Sequence, residues 1–439
     1  MHSVGKCVKN LCFLRALYIK IWHNKRTYIR AIKDGEIIVK SIKFIHCADL
    51  HLDSPFVGLK NIPAAIYEKT KRSTFASFSK IVEVAIKERV DFVIIAGDLY
   101  DGEDRSIRAQ LFLRREMERL EQEGIGVFLV HGNHDHLSGS WTKLEWPKNV
   151  YQFPATVEVI PYETKNKTRI HFYGFSYPKK HVFERMIDHY QKKDGADYHI
   201  GILHGHDSNN LAHYSYAPFK VKELIEKDFD YWALGHIHKS QILHKEPMIV
   251  YPGNIQGRHK NETGAKGCYL IEMDHFETRW KFIETAPIRW ETWELTEKEP
   301  FRCFDDFYQT IIGIKDYWRQ KGTNVFLQIN FNENQFDVLT DRIDLEDMLQ
   351  LLQEGEEQQD CFIWIYQLDI QENDTNRHVI SDEFFQELSK QFQHVDIKEP
   401  LSFLFDHPKA RKYLAPLTEG EQQQILHEAE KLLFRLLKG

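Results

Sequence analysis

Five short apolar runs in this chain each stop at residues that bind metal ions well. The stops read Asp49-Leu50-His51, Gly97-Asp98, Gly132-Asn133-His134-Asp135, His204-Gly205-His206 and Gly235-His236-Ile237-His238. Aspartate supplies an anionic oxygen that can bridge two cations, asparagine a neutral carbonyl oxygen, and histidine a borderline nitrogen. That mixture suits Mn, Fe, Zn or Co better than Ca or Mg alone. None of the five stops contains a cysteine, which argues against a thiolate-rich structural zinc site. Two cations roughly 3.5–4 Å apart stabilise both the attacking and the leaving oxygen of an in-line displacement at phosphorus. Taken singly the motifs are weak, because Asp-x-His is common and Gly-Asp is often only a turn. Their joint occurrence, each behind an apolar run, carries the metal reading.

The runs that must position these groups are Phe44-Ile45, Phe92 to Ala96, Val127 to Val130, His199 to Leu203 and Tyr231 to Leu234. They read as short apolar strands. A strand that stops at a polar residue delivers that side chain to one rim of its sheet, where α/β proteins bind ligands. In Gly-His-x-His, side-chain alternation puts both imidazoles on one side of an extended segment. Between the strands, Ile62 to Glu88 reads as a helix with Phe75, Phe78, Ile81, Val82 and Ala85 on one face. Ser106 to Gln122 reads as another, with Leu111, Leu113, Met117 and Leu120 inward and a stop at Gly124. Met248 to Tyr251, Gly267 to Met273 and Thr278 to Glu284 read as later strands closing the structure. His46, His131 and His199 lie within or beside strand runs and read as satisfied core residues. His206 and His259 are candidates for substrate contact. Trp290 and Trp293 read as packing groups.

Asp-x-His, Gly-Asp, Gly-Asn-His-Asp, His and Gly-His-x-His, in this order, resemble the calcineurin-like metallophosphoesterases from about Lys43 to about Trp290. Cys47 to Asp53, Gly97 to Asp101 and Tyr251-Pro252-Gly253-Asn254 are similar to the SbcD-type DNA nucleases. The stretch Gly257-Arg258-His259 with Asn261-Glu262 and Gly264 is similar to the YhaO-type exonuclease-like phosphoesterases. The resemblance implies an α/β fold, a four-layer αββα sandwich with a small C-terminal α/β cap module and a terminal helix. It implies that Asp49, His51, Asp98 and His238 hold one metal, and that Asp98, Asn133, His204 and His236 hold the other, with Asp98 shared. It makes His134 the histidine that meets the scissile phosphate and serves the leaving oxygen. Asp135 is expected to orient His134. The implied cofactor is a pair of divalent cations, Mn first, with Fe, Zn or Co as alternatives. Purple acid phosphatases use Gly-Asp-x-x-Tyr, whereas here the corresponding residue is Asp101. Archaeal and eukaryotic relatives of the SbcD type often place a histidine at that position, so their balance of exo- and endonuclease action is not carried over to this chain.

The domain reading is a basic extension over 1–40, a metallophosphoesterase domain over 41–295, an α/β capping module over 296–400 and a helical segment over 401–439. The first forty residues carry nine Lys or Arg and only Asp34 and Glu36, although the chain of 439 residues has net charge −7. They read as a basic amphipathic helix for nucleic acid or membrane, or as a segment translated from too early a start. The second reading is preferred, because the resemblance begins near Ser41. In the module, Asn324 to Asn330 and Cys361 to Leu368 read as strands, and Leu345 to Gln353 and Asp382 to Phe392 as helices. Thr418-Glu419-Gly420-Glu421 is a capping box that opens a helix with Ile425, Ala429, Leu432, Leu433 and Leu436 along one stripe.

Six cysteines with no C-x-x-C spacing read as reduced thiols of a cytoplasmic protein. No apolar run is long enough to span a bilayer. The acidic balance supplies no general basic face for nucleic acid, so DNA binding by the chain alone is expected to be weak and salt-sensitive. Three functions remain: a DNA exonuclease working with an SbcC-type coiled-coil ATPase, a phosphodiesterase or phosphatase for small nucleotides or phospho-metabolites, and a non-catalytic scaffold. The resemblance also brings the expectation of a homodimer. The complete donor set disfavours the scaffold.

Overall fold

The computed structural model describes residues 40–301 apart from short breaks at 60, 103–104, 140–141, 143, 208–215 and 297–299. It then describes 303–332 and 345–371, and only scattered positions elsewhere. Most of the larger compact unit, residues 1–294, 302–330 and 341–369, falls within those limits. The second unit, residues 295–301, 331–340 and 370–439, lies largely outside them. The expected helix at 382–392 therefore falls outside the described residues, as do most of the N-terminal extension and of the apolar helix opening at Thr418.

Two six-stranded sheets form the centre of the larger unit. The first is built from β1 (Ile42–Cys47), β2 (Phe92–Ala96), β3 (Gly126–Val130), β4 (Val150–Gln152), β11 (Gly267–Met273) and β12 (Thr278–Glu284). Their order is β12-β11-β1-β2-β3-β4, with β1 to β4 parallel and β11 antiparallel to β1. The second is built from β5 (Glu158–Glu163), β6 (Arg169–Gly174), β7 (Tyr198–His204), β8 (Tyr231–Gly235), β9 (Gln241–Lys245) and β10 (Met248–Tyr251). Their order is β9-β10-β8-β7-β6-β5.

Alternation along the strands decides what each face meets. Phe44, Phe92, Ile94 and Phe128 of the first sheet pack directly on Phe172, Ile200, Ile202 and Tyr231 of the second. The Phe128 and Phe172 rings stack across this seam. The odd-numbered neighbours Ile45, Val93, Ile95 and Leu129 point the other way, into α1 (Ala64–Glu88) and α2 (Ile107–Gln122). On the far side Trp232, Leu234 and Ile249 meet Leu224 of the short helix α3 (Val221–Glu226). These clusters make the expected four-layer αββα sandwich.

Local chemistry sets the helix ends. Pro63 precedes α1, and Arg89 in the left-handed region closes it. Ser106 caps α2 by accepting a hydrogen bond from the Ala109 N–H at 3.0 Å. Leu111 does not join the core as expected and is 39% exposed, whereas Ala109 and Leu113 are fully buried.

A three-stranded sheet, order β13-β14-β15, follows from β13 (Ile288–Glu294), β14 (Asn324–Asn332) and β15 (Ile363–Gln371). Its first strand lies inside the stretch read from sequence as metallophosphoesterase domain, since β13 runs parallel to β14 from Ile288 opposite Asn324. Trp290 packs with Phe326, Phe362 and Trp364 against Ile66 of α1, so it is a packing residue. The helix α4 (Phe304–Gln320), not anticipated from the sequence, precedes β14, and α5 (Leu345–Gln353) precedes β15. Among the described residues no helix is long and apolar enough to cross a membrane.

Candidate metal centre

Five strand ends meet at one rim of the sandwich. Asp49 and His51 follow β1, Asp98 follows β2, and Asn133 and His134 follow β3. His204 ends β7, and His236 and His238 follow β8. Both sheets therefore contribute. Beyond their last residues β1 and β2 stay tied together, with the Asp49 N–H donating to the Gly97 carbonyl and the His51 N–H to the Asp98 carbonyl, both at 3.0 Å. Asp49, His51, Asp98 and His236 all adopt positive φ, a conformation that costs non-glycine residues energy and clusters at functional sites.

Close approach is bought with glycine. A Cβ on Gly132 would lie 2.3 Å from Asp98 Oδ1 and 2.6 Å from His204 Nε2. At Gly97, φ is +97° and a Cβ would lie 2.2 Å from His204 Nδ1.

The donor atoms form two adjoining sets. Asp49, His51 and His238 bring one atom each within 4.8 Å of one another, and so do Asp49, Asp98 and His204. Asp98 Oδ2 lies 3.8 Å from His51 Nε2 and 3.4 Å from His204 Nε2, between the two sets. Asn133 Oδ1 is 3.0 Å from His204 Nε2 and 3.2 Å from His236 Nδ1. Each of the seven residues singled out in the sequence is thus in this cluster.

The donor set fits divalent cations on its own chemistry. His51 Nε2 and His238 Nε2 face each other at 3.1 Å, close enough to share a proton or to turn both lone pairs to one cation. Burial pushes the His51 imidazole down to about 3, so the ring is neutral. Burial would raise the Asp98 carboxyl, but the neighbouring His204 and His51 hold it well below the usual carboxylate range. Conversely, despite its burial His204 is drawn up to about 9 by Asp98 and Asp49. Burial raises the Asp49 carboxyl, whereas the Asp98 carboxylate stays charged beside His204, and that buried negative charge suits a cation.

Hydrogen bonds behind the donors fix their orientation. His204 Nδ1 lies 2.9 Å from the Ala96 carbonyl, leaving Nε2 as the donor atom. His238 Nδ1 lies 2.5 Å from Glu262 Oε1, a carboxylate–histidine pairing that the sequence reading did not assign. Glu262 also accepts from the Arg258 N–H at 2.7 Å and lies 3.4 Å from His259 Nε2. His259 therefore turns toward Glu262. His206 is buried, with its ring 6.4 Å from that of His236.

The partner of His134 differs from the one expected. Asp135 does not orient it. The Asp135 carboxylate accepts from the Gly132 and Leu99 N–H groups at 2.8 and 3.1 Å and meets His131 Nδ1 at 2.8 Å. It is committed to the loop behind the site, and His131 is satisfied there as expected. His134 Nδ1 instead meets Asp101 Oδ1 at 2.9 Å. Asp101 is held by Ser54 Oγ at 2.7 Å and Arg258 Nη1 at 3.2 Å, and lies 3.4 Å from His51 Nδ1. Burial alone would lower the His134 imidazole, yet the Asp101 hydrogen bond and the Asp98 charge hold it above its ordinary value. Asp101, and not Asp135, is thus the carboxylate that sets His134. His46 and His199 are satisfied core groups, paired with Tyr231 and Tyr173 hydroxyls at 3.0 and 2.8 Å.

Comparison with known proteins identifies the family. The sequence model of the calcineurin-like phosphoesterases matches residues 42–240. The uncharacterized metallophosphoesterase YhaO of Bacillus subtilis (strain 168) is 37% identical over 408 residues, spanning 91% of this chain and 99% of that protein. More distant is the DNA double-strand break repair protein Mre11 of Sulfurisphaera tokodaii, 26% identical over 243 residues, or 53% of this chain and 59% of that one. The Mre11 protein of Methanocaldococcus jannaschii is 27% identical over 243 residues, 52% and 62% of the two lengths. Together, a family match over the strand-end motifs and a full-length relative establish that this chain belongs to the calcineurin-like metallophosphoesterases, metal-dependent hydrolases of phosphate esters.

Proposed function

We propose that this protein hydrolyses phosphodiester bonds at DNA ends. The observation that carries the phosphodiester chemistry is the buried Asp98 carboxylate, flanked by His51 and His204, with the His134–Asp101 pair beside it. The family's site is dinuclear. The residues that would hold one cation are Asp49, His51, Asp98 and His238; Asp98, Asn133, His204 and His236 would hold the other, with manganese the favoured metal. When bound, such a pair supplies Lewis-acid charge at the phosphoryl oxygens and makes water a better nucleophile at neutral pH.

The chain's own residues do the rest. His134 Nδ1 donates to Asp101, which leaves Nε2 to carry a proton to the departing oxygen. Arg258 and Ser54 keep the Asp101 carboxylate in place. Glu262 orients His238, the Ala96 carbonyl orients His204, and Asn133 Oδ1 lies between His204 and His236. The DNA assignment is supported by the Mre11 relatives and by the Tyr251-Pro252-Gly253-Asn254 loop.

The deciding experiment offers Mn-loaded protein linear DNA and small aryl or cyclic phosphodiesters side by side. Faster turnover of DNA supports the nuclease. Turnover of the small diesters alone moves the function to small nucleotides. His134→Ala should keep its metal by elemental analysis and lose at least ~100-fold in kcat; Asp98→Ala should lose the metal. A His134→Ala variant at full rate would refute the role given to this side chain.

We further propose a coiled-coil ATPase partner, with the apolar stripe from Ile425 to Leu436 as its docking helix. A homodimer is the expected assembly. Deleting residues 418–439 should abolish ATPase pull-down and leave hydrolysis of small phosphodiesters intact. Loss of solubility instead would mean that the helix packs on its own chain.

A further inference from the structure

Between β6 and the 3-10 turn at Met186–His189 the chain runs Lys179-Lys180-His181-Val182-Phe183. Val182 is buried and forms an isolated parallel bridge with Tyr216. Side chains of an extended segment alternate, so His181 and Phe183 face away from that bridge side by side, and both are exposed. Phe183 is 66% exposed. A large aromatic ring displayed to solvent beside a candidate active site is an informative exception to burial.

The rings continue inward. His181 and Phe183 stack with centroids 6.0 Å apart and planes at 27°. The His181 ring is 5.6 Å from that of Tyr216 at 35°, and the Tyr216 ring is 4.6 Å from that of His236 at 41°. A series of tilted π-faces therefore leads from solvent to a donor of the metal centre.

We propose that His181, Phe183 and Tyr216 form a stacking platform for the nucleobases next to the cleaved phosphate of a single-stranded DNA end; this rests on the nuclease reading of the same site. A group resting on these rings lies next to the metal centre, because the series ends at His236. In a nucleic acid the group next to the cleaved phosphate is a nucleoside. Every base has a π-face, so aromatic stacking holds single strands without choosing a sequence. Lys179 and Lys180, both exposed in the same segment, supply charge for the neighbouring phosphates. For a chain of net charge −7, such local contacts stand in for a general basic face.

The test compares wild type, His181→Ala/Phe183→Ala and Phe183→Trp, all full-length and Mn-loaded. The substrates are single-stranded oligonucleotides with natural bases and the same strands made abasic at the two terminal positions of either end. Wild type and Phe183→Trp should show KM on the order of tenfold higher for one abasic end. The double variant should have the same high KM for natural and abasic strands, with kcat little changed. A second readout avoids turnover: in the His134→Ala background, terminal 2-aminopurine fluorescence should be quenched on binding, and the double variant should abolish the quenching. If wild type and double variant cut natural and abasic strands with equal KM, the platform is wrong and the nuclease reading stands. If wild type cuts no DNA of either kind, both fall.

Discussion

At the scale of single residues, the informative side chains are those behind the donors. Asp101 joins His134, His51, Ser54 and Arg258, and its carboxylate is held well below the ordinary range despite partial burial, chiefly by the His134 and His51 contacts. Asp101→Ala should keep the metals, lower kcat by ~10–100-fold and leave KM nearly unchanged. Combined with His134→Ala it should cost little more than His134→Ala alone, because the two act as a unit. Steady-state kinetics of the three variants, with metal content measured, checks this; additive losses would separate Asp101 from His134. This pairing was not legible in the sequence for a simple reason. Asp135 is adjacent to His134 in the chain, and adjacent side chains point apart, whereas Asp101 arrives from a different strand end. Glu262 escaped for the same reason: 24 residues separate it from His238, and only the turn of 257–264 brings them together.

At the scale of elements, most of the architecture could be read. Strands buried on both faces appear as unbroken apolar runs, and their polar ends announce the rim. The missing pieces have physical causes. The helix α4 has charged and aromatic residues interleaved, so its inward set of Phe307, Ile311, Ile314 and Trp318 is diluted in the one-dimensional pattern. The strand β13 continues directly from the sandwich region, and only its pairing with β14 reveals that it belongs to another sheet. In α2, Leu111 fits a helical period but sits on the solvent flank, where Ala109 and Gln110 take the buried positions. The loops after β2 and β3 also carry a sharp prediction. Gly132→Ala would drive a methyl group into Asp98 and His204, so the variant should fold yet bind metal at least ~10-fold more weakly. Circular dichroism with elemental analysis checks it; full metal content would show that the loop yields.

At the scale of the molecule, the two central sheets couple stability to pH through two histidines outside the metal centre, His46 in the seam between them and His199 on the far face of the second sheet. Burial lowers His46 to about 3 and His199 to about 4. In the unfolded chain each titrates near 6.5. Above that pH neither state binds the proton and nothing is lost. As pH falls below it, the unfolded chain takes up protons that the native state refuses, and stability declines until the folded values are reached. The slope is about 1.4 kcal/mol per pH unit for each group. Urea melts in EDTA at pH 7.5, 6 and 5 should show a falling midpoint with unchanged m-value. His46→Gln should make the decline shallower than in the wild type, and an unchanged slope would mean that this imidazole is protonated in the native state.

The left-handed backbone at Asp49, His51, Asp98 and His236 has an evolutionary corollary. Each position gives up ~1 kcal/mol of stability to keep its side chain at the rim. A descendant lineage released from cleaving phosphate esters would gain robustness by accepting glycine or asparagine there before any other change. Loss of activity in this fold should therefore leave a signature of glycine at catalytic rims in proteins that melt higher than their working ancestors.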